Sequence, residues 1–252
     1  MKAVFLCAGY ATRLYPLTEK KPKPLLEIDG MPLLTHLLKK LEPISLLDQI
    51  FVVSNGRFYN HFCQWQKTVK TSKKLSILND KTMDPEHRLG AIQDLKLGLE
   101  YGAGNADVLV VAGDNLFDSE LEPFVSFAHS KKPAASVGVY DVCDKALAQK
   151  YGLIKTDSSS KITAFFEKPK NPPTTLASMG IYYFPKETLS CVDRYLEKNQ
   201  NLDAPGFYMS WLAQEIDVFA FPFSGTWFDI GDLNSYHQAD QFFRAHRKRQ
   251  NA

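Results

Sequence analysis

Four short, largely apolar runs mark the first half of the chain, with a helix-like segment between each and the next. The runs lie at 3–7, 50–54 (Ile-Phe-Val-Val-Ser), 75–78 and 108–112 (Val-Leu-Val-Val-Ala). Leucines at 33, 34, 37, 38 and 41 form a helical stripe over 32–41, and apolar residues at 89, 92, 95 and 99 form another over 89–101. A further helix is expected near 60–69. Runs that are apolar throughout, with no polar alternation, suit strands buried on both faces. The resulting β-α-β-α-β-α-β order predicts an α/β fold, a mostly parallel central sheet with helices on both faces.

The second half changes character. Strands are expected at 134–140, 152–156, 162–167 and 177–184, with few helices between them. The polar stretch 155–161 forms a turn between two of these strands. Helices return at 187–198, 207–215 and 233–244. The chain of 252 residues thus reads as one domain over 1–245. Its halves are 1–130 and a mixed-strand subdomain over 131–232, and a basic tail, 246–252, is left over.

Composition removes several classes of function. Lys plus Arg number 30 against 28 Asp plus Glu, a net charge of +2, so no basic footprint for nucleic acid covers the surface. No apolar run approaches the ~18–20 residues of a membrane span, and the first run meets Arg13 without a cleavage region, so it reads as a buried strand. A cytoplasmic protein is the expectation. Cys7, Cys63, Cys143 and Cys191 are widely spaced and read as reduced structural thiols. The histidines are equally scattered and suggest no soft-metal site.

The segment from Leu6 to Leu26 is the most informative. A buried strand leads to Gly9, where backbone N–H groups can approach an anion. Arg13 offers a planar, multi-donor head for a phosphate. Lys20, Lys21 and Lys23 add positive charge, and Pro22 and Pro24 restrict the backbone around Lys23. Such a loop either cradles a polyphosphate or is a basic surface loop. It carries neither the P-loop nor the dinucleotide-binding glycine fingerprint. Asp114 ends the strongest strand, where it either holds Mg²⁺ on a triphosphate or caps a turn with Gly113 and Asn115.

The same segment resembles the signature of the sugar nucleotidyltransferases, Leu-Ala-Gly/Ala-Gly-x-Gly-Thr-Arg-Leu-x-Pro-Leu-Thr followed by Pro-Lys-Pro-Leu-Leu. Arg13 and Lys23 fall in the expected register. Ala11 stands where the family usually has glycine, so a differently shaped turn is expected there. Gly113-Asp114-Asn115 resembles the family's metal motif, and Trp227-Phe228-Asp229-Ile230-Gly231 its second metal segment. Asp232 reads as a helix cap, and Trp227 and Phe228 read as core. Tyr151-Gly152, Glu167-Lys168-Pro169 and Ser178-Met179-Gly180-Ile181-Tyr182 resemble the sugar-side motifs, with Ser178 replacing the usual asparagine. Arg88-Leu89-Gly90-Ala91 resembles the turn over the nucleobase, although Arg88 could also pair with Asp84 or Glu86.

The resemblance implies a nucleotide-diphospho-sugar transferase fold, glycosyltransferase-A-like. It implies conversion of a nucleoside triphosphate and a sugar 1-phosphate to a nucleoside-diphosphate sugar and pyrophosphate, with Mg²⁺ as cofactor. Arg13 and Lys23 would be catalytic, and Asp114 and Asp229 would hold the metal. Leu6, Ala8, Gly9, Ala11, Leu89 and Gly90 would bind the nucleotide; Gly152, Glu167, Lys168 and Ser178 would bind the sugar phosphate. Neither nucleic acid nor membrane is an expected partner, and oligomeric state leaves no sequence signal. Glucose 1-phosphate with dTTP or UTP is the lead pair; mannose with GTP or glucose with CTP stay open.

Other readings compete with it. Transfer to phosphocholine conflicts with the Glu167-Lys168 pair, because choline prefers an aromatic cage. A non-catalytic regulatory subunit has no need of Arg13, Lys23, Asp114 and Asp229 together. A dehydrogenase lacks its glycine fingerprint. The motifs extend to residue 232, so no appended acyltransferase β-helix is expected.

Overall fold

The computed structural model describes residues 1–198 and 201–250. Its centre is a nine-stranded sheet. The parallel part comprises β1 (Lys2–Leu6), β4 (Gln49–Ser54), β5 (Lys74–Asn79) and β6 (Val108–Ala112). In space they run β5, β4, β1, β6, each parallel to its neighbour. The helices α1 (Leu33–Leu41), α2 (Tyr59–Thr68) and α3 (Ala91–Glu100) connect them, and the hairpin β2 (Glu27–Ile28) and β3 (Met31–Pro32) precedes α1.

The strand order explains the apolar runs. Along β1, Ala3 and Phe5, continued by Cys7, enter one core with α1 and α2. Val4 enters the other core, with Ile92 and Leu95 of α3. The middle residues of β1, β4 and β6 are therefore apolar whichever face they point to, whereas β5, at the sheet edge, is only partly buried, contrary to the expectation for 75–78. Phe5 and Phe51 are fully buried, one on each face, where truncation to alanine costs about 3–5 kcal/mol.

Past β6 the chain forms β7 (Asn115–Phe117), α4 (Glu122–Ser130), β8 (Ala135–Asp141) and a single turn, α5 (Lys145–Ala148). The hairpin β9 (Gly152–Thr156) and β10 (Ile162–Glu167) leads to β11 (Leu176–Phe184), then α6 (Ser190–Lys198) and α7 (Pro205–Glu215). The chain closes with β12 (Val218–Pro222), β13 (Trp227–Asp229) and α8 (Leu233–Gln250). Strand β11 lies antiparallel to both β6 and β8, and β12 runs parallel to β8. Ala177 of β11 also pairs with Leu153 of β9. The sheet is therefore largely parallel, with one long antiparallel strand joining its halves.

Several elements differ from expectation. Helix α4 and strand β12 have no counterpart among the expected elements, nor do the short β2, β3, β7, α5 and β13. Helix α8 does not stop near residue 244 but continues to Gln250. Arg247, from the expected tail, pairs with Asp29 at 2.9 Å. Asn251 and Ala252 of that tail lie outside the described residues. Asp240 of α8 accepts from the Asp29 N–H at 2.7 Å, and the Tyr236 hydroxyl donates to the Glu27 carbonyl at 2.8 Å. The last helix thus straps the β2–β3 hairpin that follows Lys23. Among the described residues no helix is long and apolar enough to cross a membrane.

Candidate active site

Successive connections lead from β1 to β4 and β5 on one side, then to β6 on the other. The carboxyl ends of β1 and β6 therefore form a topological switch point, the crevice where open α/β sheets bind ligands. The loop after β1 is fixed there from below. The Cys7 N–H donates to the Val53 carbonyl at 2.9 Å, and Asn55 Nδ2 donates to the Ala8 carbonyl at 2.9 Å. Buried Tyr10 shares a 2.9 Å hydrogen bond with Thr82 Oγ1. Gly9 is exposed, and a Cβ there would meet nothing within 4 Å. Open space of this kind above a backbone loop leaves room for a ligand.

Ala11 adopts the left-handed conformation, φ 49° and ψ 43°. The turn thus takes the shape glycine would give it, contrary to the expectation of a different one. The conformation costs alanine about 1–2 kcal/mol. Local bonds hold it: the Ala11 carbonyl accepts from Leu14 N at 3.0 Å and from Thr18 Oγ1 at 2.7 Å. A short 3₁₀ turn, Thr12–Leu14, follows, with Leu14 buried as the anchor and Arg13 exposed over the crevice.

Lys23 opens a second 3₁₀ turn, Lys23–Leu25, in which Pro24 and Leu25 are buried. Its ammonium donates to Asp114 Oδ2 at 2.8 Å. Gly113 makes this approach possible. A Cβ there would lie 2.5 Å from Cys7 Sγ and 3.2 Å from Pro24. The second carboxylate is fixed by backbone pairing. Asp229 lies opposite Asn115 in the β7–β13 ladder, and the Ile230 N–H donates to the Asp114 carbonyl at 3.0 Å. The point where Gly231 would carry a Cβ is 3.7 Å from Asp229 Oδ2 and 3.9 Å from an Arg13 nitrogen. Arg13, Lys23, Asp114 and Asp229 therefore share one place.

The two carboxyls titrate apart. Burial opposes the charged form of Asp114, but the Lys23 charge and hydrogen bond, with Arg13, outweigh it and hold the group below its ordinary value. Burial, then the neighbouring Asp114, pushes Asp229 up to about 6 against the pull of Lys23, Arg13 and Lys168. An extra cation would relieve this crowding of negative charge. Among the described residues no group of three or more His, Cys, Asp or Glu is placed to hold a metal. Two carboxylates are nevertheless a suitable set for Mg²⁺ that also takes phosphate oxygens and water. Asp232 is a helix cap, accepting from Ser235 N at 2.8 Å.

Among the residues expected to face the sugar, Glu167 lies opposite Gly152 in the β9–β10 ladder. A Cβ on Gly152 would lie 2.8 Å from the Phe165 ring and 3.0 Å from Glu167 Oε2. The glycine thus makes room for the Phe165 ring and for the carboxylate. Lys168 follows with φ 45°, its Nζ 3.6 Å from Glu167 Oε1. Ser178 Oγ stands 3.4 Å from the Tyr182 hydroxyl. Burial pushes Tyr182 up to about 12, helped by Glu167 and Asp114, so the charges of both halves reach one phenol.

At the turn expected to lie over the nucleobase, Gly90 has φ 91° and caps the start of α3. A Cβ there would lie 2.6 Å from the Leu202 carbonyl. Arg88 pairs with neither Asp84 nor Glu86; its Nε contacts both oxygens of Asp203 at 2.9 Å. Asp84 instead accepts from His87. This turn is thereby braced against the segment leading into α7. Leu89 is half-buried beside it.

Asn55 carries no motif that would reveal it, and the motifs that contain Asn115 and Trp227 do not imply the bond between them. Asn55 holds the first loop to α2, through Oδ1 and the Phe58 N–H at 2.9 Å. Buried Asn115 accepts from Trp227 Nε1 at 2.7 Å. Trp227 therefore ties the two carboxylate loops together and is more than core packing. It also lies 5.0 Å from the Tyr151 ring, between centroids. A polar residue directly after a strand was the available signal for Asn55.

Comparison with known proteins agrees with this geometry. The family model described as nucleotidyl transferase matches residues 2–246. The bifunctional protein GlmU of Methanocaldococcus jannaschii is 28% identical over 234 residues, 92% of this chain and 51% of that protein. A Sulfolobus acidocaldarius protein with the provisional name mannose-1-phosphate guanyltransferase is 31% identical over 94% of this chain and 61% of its own length. The chain thus spans about half to three-fifths of these relatives. The UTP–glucose-1-phosphate uridylyltransferase AglF of Haloferax volcanii is 30% identical over 187 residues, covering 73% of this chain and 72% of AglF. A UDP-glucose pyrophosphorylase solved with UDP-glucose superposes with TM-score 0.81 at 21% identity, covering 97% of this chain and 98% of that one, and shares its fold. The family match over nearly the whole chain, on a fold that brings Arg13, Lys23, Asp114 and Asp229 together, makes this chain a member of the nucleotidyl transferase family.

Proposed function

We propose that the chain transfers a nucleotidyl group from a nucleoside triphosphate to a sugar 1-phosphate, releasing pyrophosphate. Glucose 1-phosphate with dTTP or UTP is the lead pair. The observation that carries the reading is the 2.8 Å Lys23–Asp114 contact at the switch point, with Arg13 and Asp229 beside it.

A sugar-phosphate oxygen attacks the α-phosphorus, forming one P–O bond while the bond to the β-phosphate bridge breaks in line. No side-chain nucleophile is needed. The loop around Gly9 presents backbone to the phosphates, and Arg13 and Lys23 offset the charge that develops on them. Lys23 is poised for this by its turn and its two prolines. On the acceptor side, Glu167 receives hydrogen bonds from sugar hydroxyls and Lys168 meets the 1-phosphate. Asp114 and Asp229 would hold Mg²⁺, which when bound would neutralise triphosphate charge.

The test is a pyrophosphate-release panel of five nucleoside triphosphates against several sugar 1-phosphates with Mg²⁺. Release with dTTP or UTP and glucose 1-phosphate is expected. Release only with GTP and mannose 1-phosphate would favour the specificity in the Sulfolobus relative's name. No release with any pair would overturn the reading.

A further inference from the structure

The Glu167 carboxylate is enclosed by glycines from two elements. Gly152 of β9 leaves space on one side. Gly206, in the first turn of α7, leaves it on the other: a Cβ there would lie 1.9 Å from Glu167 Oε2 and 2.9 Å from the Phe165 ring. Gly206 is buried, and its helix begins with Pro205. Glycine is a poor choice for a helix, where alanine is the best former. The close approach of the carboxylate supplies the reason for it. Phe165 and Glu167 are two residues apart on β10, so they share the face that meets α7.

We propose that Gly206 is a positioning residue for Glu167: the missing side chain in α7 sets where the sugar-facing carboxylate stands. The inference rests on the nucleotidyl-transfer reading, because it assigns Glu167 to the sugar. The consequence follows from which atom would have to move. A Cβ at position 206 meets the far end of the flexible Glu167 side chain most closely, so Glu167 swings away, while the Phe165 ring at 2.9 Å gives by a smaller shift. The carboxylate then no longer faces the sugar hydroxyls. The nucleotide loop, on the other side of the crevice, is untouched. Helix α7 thereby takes part in acceptor recognition without contributing a side chain. Its preceding segment also braces the base turn, through the Ile92 N–H to the Leu202 carbonyl at 3.2 Å.

The variant Gly206→Ala tests this. The expected result is a rise of about tenfold in KM for the sugar 1-phosphate, the size of one charge-assisted hydrogen bond. KM for the nucleoside triphosphate should stay within about twofold, the ordinary effect of a substitution that leaves its site alone. In a Glu167→Ala background, Gly206→Ala should add nothing to KM. Equal rises in both KM values, or the same sugar KM rise without Glu167, would overturn the proposal. A melting-temperature cycle reads the contact independently of activity. Gly206→Ala should lower Tm in the parent by more than in the Glu167→Ala background, where only the Phe165 contact remains. An equal change in both backgrounds contradicts the contact. An inactive parent enzyme would sink the nucleotidyl-transfer reading, while this Tm cycle would still decide whether Gly206 positions Glu167.

Discussion

Lys23 and Asp114 are 91 positions apart in the chain, yet the ammonium of one donates to the carboxylate of the other at 2.8 Å. The pair bridges the loop after β1 and the end of β6, the two strands flanking the switch point. Lys23→Ala should lower kcat by about 10²–10³-fold, the usual loss when one preorganised charge donor is removed. The melting temperature should fall as well, because Asp114 loses the charge that offsets its burial. A change in melting temperature with kcat intact would reduce Lys23 to a structural tether.

Asp114→Asn keeps the shape and removes the charge. Turnover should fall at least about 10²-fold. Circular dichroism and Tm should remain close to the parent, because the backbone bonds that place the loop do not use the carboxylate. Parent-level activity in the purified variant would remove Asp114 from the site.

The strained Ala11 predicts a gain from a substitution. Left-handed geometry costs alanine about 1–2 kcal/mol, while glycine gives back about 0.5–1 kcal/mol through its freer unfolded chain. Ala11→Gly should therefore stabilise the fold by about 0.5–1 kcal/mol. Denaturant titration at constant m-value measures it; a loss of stability contradicts the strain argument.

Asp94 sets a pH dependence of stability. Burial, with Asp80 and Asp203 adding to it, pushes its carboxyl from 3.8 up to about 8. The folded chain keeps a proton that the unfolded chain releases above 3.8. Stability is therefore lost as pH rises between these values, by up to about 1.4 kcal/mol per unit. The stability of Asp94→Asn relative to the parent should increase from pH 5 to pH 8. A pH-independent difference would show that Asp94 is ionised in the fold.

The first half of the fold was legible because β1, β4 and β6 are buried on both faces and so must be apolar throughout. Arg13, Lys23 and Asp114 stood out because each sits in a short segment of recognisable spacing, although only the fold brings them together. Gly206 was not legible, because its reason for being glycine is a carboxylate 39 positions earlier, brought near only when α7 docks. The end of α8 escaped because its last turns are polar, and tertiary ties such as Arg247 to Asp29 support it without an apolar stripe. Ala11 misled in the opposite sense. Propensity argued against a left-handed alanine, but the bonds from Leu14 and Thr18 override a local cost of this size.

The central claim is that the bond broken lies between the α- and β-phosphates of the nucleotide. Parallel reactions of the purified chain with glucose 1-phosphate and dTTP or UTP, labelled in the α- or the γ-phosphate, test it directly. The α-label should pass into a nucleoside-diphosphate sugar and the γ-label into pyrophosphate, and both transfers should collapse in Asp114→Asn. Release of the γ-label as inorganic phosphate, or no sugar-linked α-label with any nucleotide, would contradict nucleotidyl transfer at this site.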